Sequence, residues 1–239
     1  GSYIREALGR GLEIGAKVGV NPYALGMTGS SDYHSATSAT EEDNFTGALG
    51  DGDLPFGDNL PKLLSQVNQV VRAPQIALSA SGVTGVWAEE NTREAIFAAL
   101  KRREVFATSG PRMQVRLFGG WNYSSGLVKR RDWVREAYAQ GVPMGGNLKG
   151  ASRGKAKAPS LIVQAVKDPD GANLDRIQVI KVWLKDGKSQ EKVFDVAWSG
   201  TRRIDPKTGK LPAVGSTVVV HKASYTNTIG AAQLSAQWV

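Results

Sequence analysis

The stretch Thr28-Gly29-Ser30-Ser31-Asp32-Tyr33-His34 carries the residue types best suited to chemistry. An apolar run, Tyr23-Ala24-Leu25-Gly26-Met27, leads into it, and small residues then release an aspartate and a histidine two positions apart. At the end of an extended strand, residues i and i+2 project from the same face, so the Asp32 carboxylate and the His34 imidazole can converge on one point. Oxygen plus imidazole suits zinc, manganese or iron, and Ser30 and Ser31 add no soft ligand. The spacing is short, and it reads equally as a turn opened by Asp32 with His34 facing solvent.

A second group lies at Ser109-Gly110-Pro111-Arg112, after the expected strand Glu104-Val105-Phe106-Ala107-Thr108. Small hydroxyls, a glycine and an arginine at a turn can hold a phosphate through backbone N–H groups and the Arg112 guanidinium, with Ser109 beside it. The same residues are also ordinary turn chemistry. Between the two groups, residues 35–58 form a long polar segment placed to cover a pocket at His34. Its acids Glu41, Glu42 and Asp43 are candidates to touch metal or substrate, against the simpler reading of solvated loop charge.

Gly29-Ser30-Ser31-Asp32-Tyr33-His34 at the end of an apolar strand resembles the last metal-binding motif of the PHP (polymerase and histidinol phosphatase) superfamily. The runs Gly82-Val83-Thr84-Gly85-Val86-Trp87-Ala88-Glu89-Glu90-Asn91-Thr92-Arg93-Glu94-Ala95-Ile96 and Ala107-Thr108-Ser109-Gly110-Pro111-Arg112 are similar to those of its multi-domain bacterial relatives. So is Glu41-Glu42-Asp43-Asn44-Phe45 in the loop after the motif. The resemblance covers most of residues 1–125 and, less specifically, the remainder. It implies a distorted (β/α) barrel in which divalent metal ions activate water for attack on a phosphoester, with Asp32 and His34 as metal ligands and a small phosphorylated or otherwise anionic substrate. It also implies an N-terminal His-x-His and further histidines, whereas this chain has only His34 and His221. The expectation is therefore the C-terminal part of a longer hydrolase, inactive without its missing N-terminal part. The alternative is a catalytically degenerate binding protein whose basic β-domain contacts an anionic polymer or a partner protein.

Composition sets the bounds. The 239 residues are 41% hydrophobic and 22% charged, enough for one large or two modest cores. No apolar run approaches the roughly 20 residues of a membrane span. With no cysteine, disulfides and thiolate metal sites are excluded, while periplasm, exterior and cytosol all stay open. The net charge of +8 favours anionic partners. The basic runs Lys101-Arg102-Arg103 and Lys149–Lys157 have structural explanations as a helix end and a surface loop, so nucleic acid is possible but not favoured.

The positioning elements follow from periodicity. Ile4, Leu8 and Leu12 predict a first helix capped by Ser2, ended by Gly19 and Asn21-Pro22, and followed by a strand at 23–28. Three glycines in that helix demand packing against neighbours. Leu60, Leu63, Leu64, Val67, Val70 and Val71 predict a second helix, and Asn91 with Glu94 opens a third. Met113, Val115 and Leu117 mark a half-buried strand. Residues 119–159 read as an irregular insertion with one short helix, and 160–198 as strands separated by turns at Asp168-Pro169-Asp170-Gly171 and Asp186-Gly187. A final pair is expected at 217–221 and 232–239. The expected fold is mixed α/β plus all-β: residues 1–112 complete a PHP-type barrel, and 113–239 form an immunoglobulin-like β-sandwich.

Overall fold

The structure is a computed structural model that describes residues 3–30, 82–150, 158–222 and 224–239. The expected helix at 60–71 lies outside these residues. The described chain is mixed α/β, with antiparallel sheets and few helices.

Helix α1 (Ile4–Val18) begins at Tyr3 without a side-chain cap, not at Ser2, and ends at Gly19, whose φ of 82° is readily adopted by glycine. Its glycines, costly for an isolated helix, are its contact surface. Gly9 and Gly11 are its buried residues. A Cβ on Gly9 would lie 2.9 Å from Ser189 Oγ, so the missing side chain lets the helix approach the strands around Ser189. Glu13 accepts the Ser189 N–H at 2.8 Å, and Arg5 pairs with Glu191.

The apolar run after α1 corrects an expectation. Residues 23–28 join no ladder, and Leu25 is 62% exposed. The backbone there is held by side chains instead: the Arg103 guanidinium donates to the Ala24 carbonyl.

Strands β1 (Thr84–Val86) and β2 (Val105–Ala107) form an antiparallel pair joined through α2 (Arg93–Arg102). Thr92, rather than Asn91, caps α2, accepting the Ala95 N–H. Arg103 closes it in the left-handed region, donating its N–H to the Ala99 and Leu100 carbonyls.

The larger sheet consists of β3 (Gln114–Gly120), β4 (Gly141–Pro143), β5 (Ser160–Val166) and β8 (Gln233–Trp238), in the order β4-β3-β5-β8 and antiparallel throughout. Its two faces follow the period-2 alternation of the sequence. One carries Val115, Leu117, Val163, Ala165, Leu234 and Ala236, which meet Ile177, Val196 and Ala197 of the hairpin β6 (Arg176–Lys185) and β7 (Lys188–Trp198). Asp186 and Gly187, at φ 51° and 73°, make its two-residue turn, the left-handed pair that matches strand twist. The other face carries Phe118 and Ile162, both fully buried.

What covers that second face is a surprise. The 119–159 segment, expected as an insertion, supplies the core: Tyr123, Leu127, Trp133 and Ala137 pack on Phe118 and Ile162. Leu127–Lys129 is a 3-10 turn, and α3 (Trp133–Gln140) brings Trp133 edge-on to Phe118 at 5.8 Å. The expected strand at 217–221 is also corrected. Val219 bridges Ser224, and Val220–Lys222 is a 3-10 turn that leaves Val220 85% exposed and His221 at the surface. Strand β8 pairs with β5 instead, because only its alternation continues the apolar face of the sheet.

Candidate functional site

The β1–β2 ladder has two ends, roughly 13 Å apart over four residue steps. At one end Thr108 donates its N–H to the Val83 carbonyl, and at the other Trp87 donates its N–H to the Glu104 carbonyl, both at 3.0 Å. Each end gathers polar chemistry of a different kind.

At the Val83–Thr108 end the backbone of Gly29 is clamped. Thr84 Oγ donates to the Gly29 carbonyl at 2.7 Å and accepts the Gly29 N–H at 3.1 Å. A Cβ on Gly29 would lie 2.5 Å from the Val83 carbonyl oxygen and 2.9 Å from that of Thr108, so no side chain fits. Thr108 is buried, and its Oγ accepts the Val83 N–H at 3.0 Å. About 80 residues apart in sequence, the entry to the Asp32–His34 motif at Gly29 and the start of the turn at Ser109 are thereby brought together. Asp32, His34, Glu41, Glu42 and Asp43 themselves lie outside the described residues.

Ser109 and the Arg112 side chain are exposed at this end. The Arg112 backbone N–H, expected to serve a phosphate, donates to Asp168 Oδ2. Asp168 is 6% exposed, and its Oδ1 accepts the Asp170 N–H at 3.1 Å. These hydrogen bonds, the one from Arg112 foremost, hold its carboxyl below the ordinary aspartate range. On this side the turn thus carries an internal anion. The Asp168–Gly171 segment is a turn, closed by the Gly171 N–H on the Asp168 carbonyl at 3.1 Å. Asn173 and Asp175, which with Asp168 and Asp170 echo a calcium loop in sequence, serve as fasteners. Asn173 donates to the Asn227 and Ile229 carbonyls, while Asp175 pairs with Arg176 and Arg202.

At the Trp87–Glu104 end, side chains flanking β1 and β2 meet others from α2, β3 and α3. Glu104, only 3% exposed, accepts from the Tyr138 hydroxyl on α3 and pairs with Arg102 at 3.3 Å. Burial, and then this bond to Glu104, push the Tyr138 phenol up to about 12, so it stays a neutral donor. The Arg116 guanidinium carbon sits 3.8 Å from the Trp87 ring centroid, a cation–π stack. The Trp87 indole N–H donates to the Val115 carbonyl at 2.9 Å, tying β1 to β3. These residues line a cavity of about 620 Å³.

Sequence reasoning did not single out this end, and only one signal pointed to it. Arg116 lies two residues before Phe118 on the face that packs inward, where a charge needs a reason.

Among the described residues no group of three His, Cys, Asp or Glu side chains could hold a metal, and no helix is long and apolar enough to cross a membrane. Comparison with curated proteins and with solved structures found no match. A family profile described as "Protein of unknown function (DUF3604)" matches residues 1–239. The chain belongs to that family.

Proposed function

We propose that this chain is part of a metal-dependent hydrolase acting on a phosphoester, with its chemistry at the Val83–Thr108 end of the β1–β2 ladder. The observation that supports this reading is the Gly29 clamp. A backbone pinned by Thr84 and pressed against two carbonyls is an investment in position, and the residue it positions is the start of the Asp32–His34 motif. Connectivity alone keeps Asp32 within about 7 Å of Ser30.

A carboxylate and an imidazole are compatible donors for zinc, manganese or iron. The described residues contain no group of three such donors, so a metal here depends on Asp32, His34 and further ligands. Such a metal, when bound, lowers the pKa of water and polarises a phosphoryl oxygen. The chain's own part is to hold Asp32 and His34 in place and to offer the Ser109 hydroxyl and the Arg112 guanidinium to an anionic substrate. With two candidate donors, the 239-residue chain by itself is expected to bind metal weakly and hydrolyse nothing.

In the same proposal, residues 1–112 contribute to a PHP-type barrel, and 113–239 form an immunoglobulin-like sandwich that braces it. The β6–β7 hairpin on the apolar face of the four-stranded sheet supports a two-layer reading. The separation of the β1–β2 pair from that sheet supports two units.

The test is metal content by mass spectrometry on the purified protein that carries this chain, with turnover of p-nitrophenyl phosphate and bis-p-nitrophenyl phosphate, with and without chelator. Bound metal, chelator-sensitive turnover and loss of both in Asp32→Ala are expected. Unchanged metal and turnover in Asp32→Ala would sink the assignment. So would a metal-free, inactive protein, which would shift attention to steeply salt-dependent binding of an anionic polymer by the basic β-domain.

A further inference from the structure

The Trp87–Glu104 end of the ladder holds a guanidinium whose Nε finds no acceptor among the described residues. Arg116, a half-buried residue, has one flat side covered by the Trp87 indole at 3.8 Å, and its buried Nε has no hydrogen-bond partner among the described residues. A buried charged donor left unpaired is destabilising unless something accepts from it. The natural candidate within the cavity is Glu104, yet both its oxygens are engaged, Oε1 by the Tyr138 hydroxyl and Oε2 by Arg102. The cavity is therefore lined by two cations and two carboxylates, with Arg102 and Glu104 paired to each other and the exposed Glu89 making no ion pair with Arg116.

The chemistry of the walls narrows what that cation can take. A guanidinium fork matches the plane of a carboxylate through two parallel N–H···O bonds. Glu104 is matched by Arg102, and Glu89 lines the cavity with Arg116, so the walls carry no net positive charge and disfavour a doubly charged phosphate more than a singly charged group. Trp87, Ala88 and Pro143 supply apolar wall for an uncharged body behind the charge. About 620 Å³ is the size of a small-molecule site. We propose that this cavity binds a small monocarboxylate with an apolar body, its carboxylate on Arg116 and its body against Trp87 and Pro143. The site lies at the opposite end of the β1–β2 ladder from the Gly29 clamp and needs no metal.

The test uses benzoate and hexanoate as probes, with methyl benzoate and inorganic phosphate as controls, titrated calorimetrically into the purified protein. Saturable binding of both carboxylates is expected, with none of the ester and weaker binding of phosphate. Arg116→Gln is expected to weaken benzoate by about tenfold or more, the loss of a charge-assisted pair. Arg116→Lys, which keeps the charge but not the fork, is expected to fall between. In the unmutated protein, benzoate should shift the Arg116 Nε–H resonance, a readout that stands even if Arg116→Gln does not fold. Asp32→Ala should bind benzoate with unchanged affinity, which separates this site from the hydrolytic proposal. Equal affinity in wild type and Arg116→Gln overturns the inference. So does ester or phosphate binding as tight as benzoate, or an unmoved Arg116 resonance at about 10 mM benzoate, where even millimolar affinity would saturate the site.

Discussion

The two ends of the β1–β2 ladder solve opposite problems. At the Val83–Thr108 end the contacts are backbone-centred: Gly29 is caught between two carbonyls and a threonine hydroxyl, and side chains are excluded. At the Trp87–Glu104 end the contacts belong to side chains, from Trp87, Arg102, Glu104, Arg116 and Tyr138 around a cavity. A backbone clamp sets where a chain goes and is silent about what binds there. A cluster of charges in which one guanidinium Nε is unpaired among the described residues is specific about ligand chemistry and says little about direction. The first end positions a motif, and the second is itself a recognition surface.

Breaking the ends separately tests whether they are independent. The largest effect is expected from Gly29→Val, since both neighbouring oxygens are backbone and cannot move aside. It should cost about 3 kcal/mol in denaturant unfolding and abolish any activity that depends on Asp32, while leaving benzoate binding at Arg116 intact. Loss of benzoate binding too would show one cooperative site rather than two.

Asp168→Asn comes next. It removes a charged acceptor from the N–H groups of Arg112 and Asp170, at an expected cost of about 2 kcal/mol at neutral pH. The Asp168 carboxyl is depressed in the folded protein, so its contribution is present above the unfolded aspartate value of about 3.9 and lost as pH falls through the folded value. Stability of the wild type should therefore drop more steeply below about pH 4 than that of the variant. Parallel acid limbs in the two proteins would contradict this.

Thr84→Val keeps the β-branched shape and deletes both hydrogen bonds to Gly29. About 1–2 kcal/mol should be lost, with faster amide exchange at Gly29 as the local readout. Tyr138→Phe is the smallest perturbation. It takes one donor from Glu104 while Arg102 remains, for about 1 kcal/mol, and sharpens the comparison if benzoate affinity changes without any change at the other end.

Several elements were legible in the sequence because their signals are local. The β6–β7 hairpin shows an alternating run on each side of Asp186-Gly187, and the turn residues have the positive φ that pairing requires. Helix α2 was legible from its cap and stripe to within one residue, the cap falling on Thr92 because its hydroxyl reaches the Ala95 N–H. The strand expected at 23–28 failed for a non-local reason: apolar residues make an extended segment but do not supply a partner strand, and here Arg103 holds the backbone at Ala24 and Thr84 holds it just beyond, at Gly29. Residues 119–159 looked irregular because Tyr123, Leu127, Trp133 and Ala137 follow no single period. They come together only over the Phe118–Ile162 face of the sheet.

The sequence by itself determined the local chemistry of this protein: an aspartate and a histidine two apart after small residues, a turn at Ser109–Arg112, and alternating strands from β5 to β7. Tertiary structure alone decided that Gly29 docks against Val83 and Thr108, and that Arg116 Nε is left without an acceptor among the described residues beside an ion pair of Glu104 and Arg102. The reason is the range of the interactions. Spacing along a chain encodes what neighbouring residues can do together, whereas which hydroxyl or carboxylate reaches a backbone 55 residues away is set by how the elements pack.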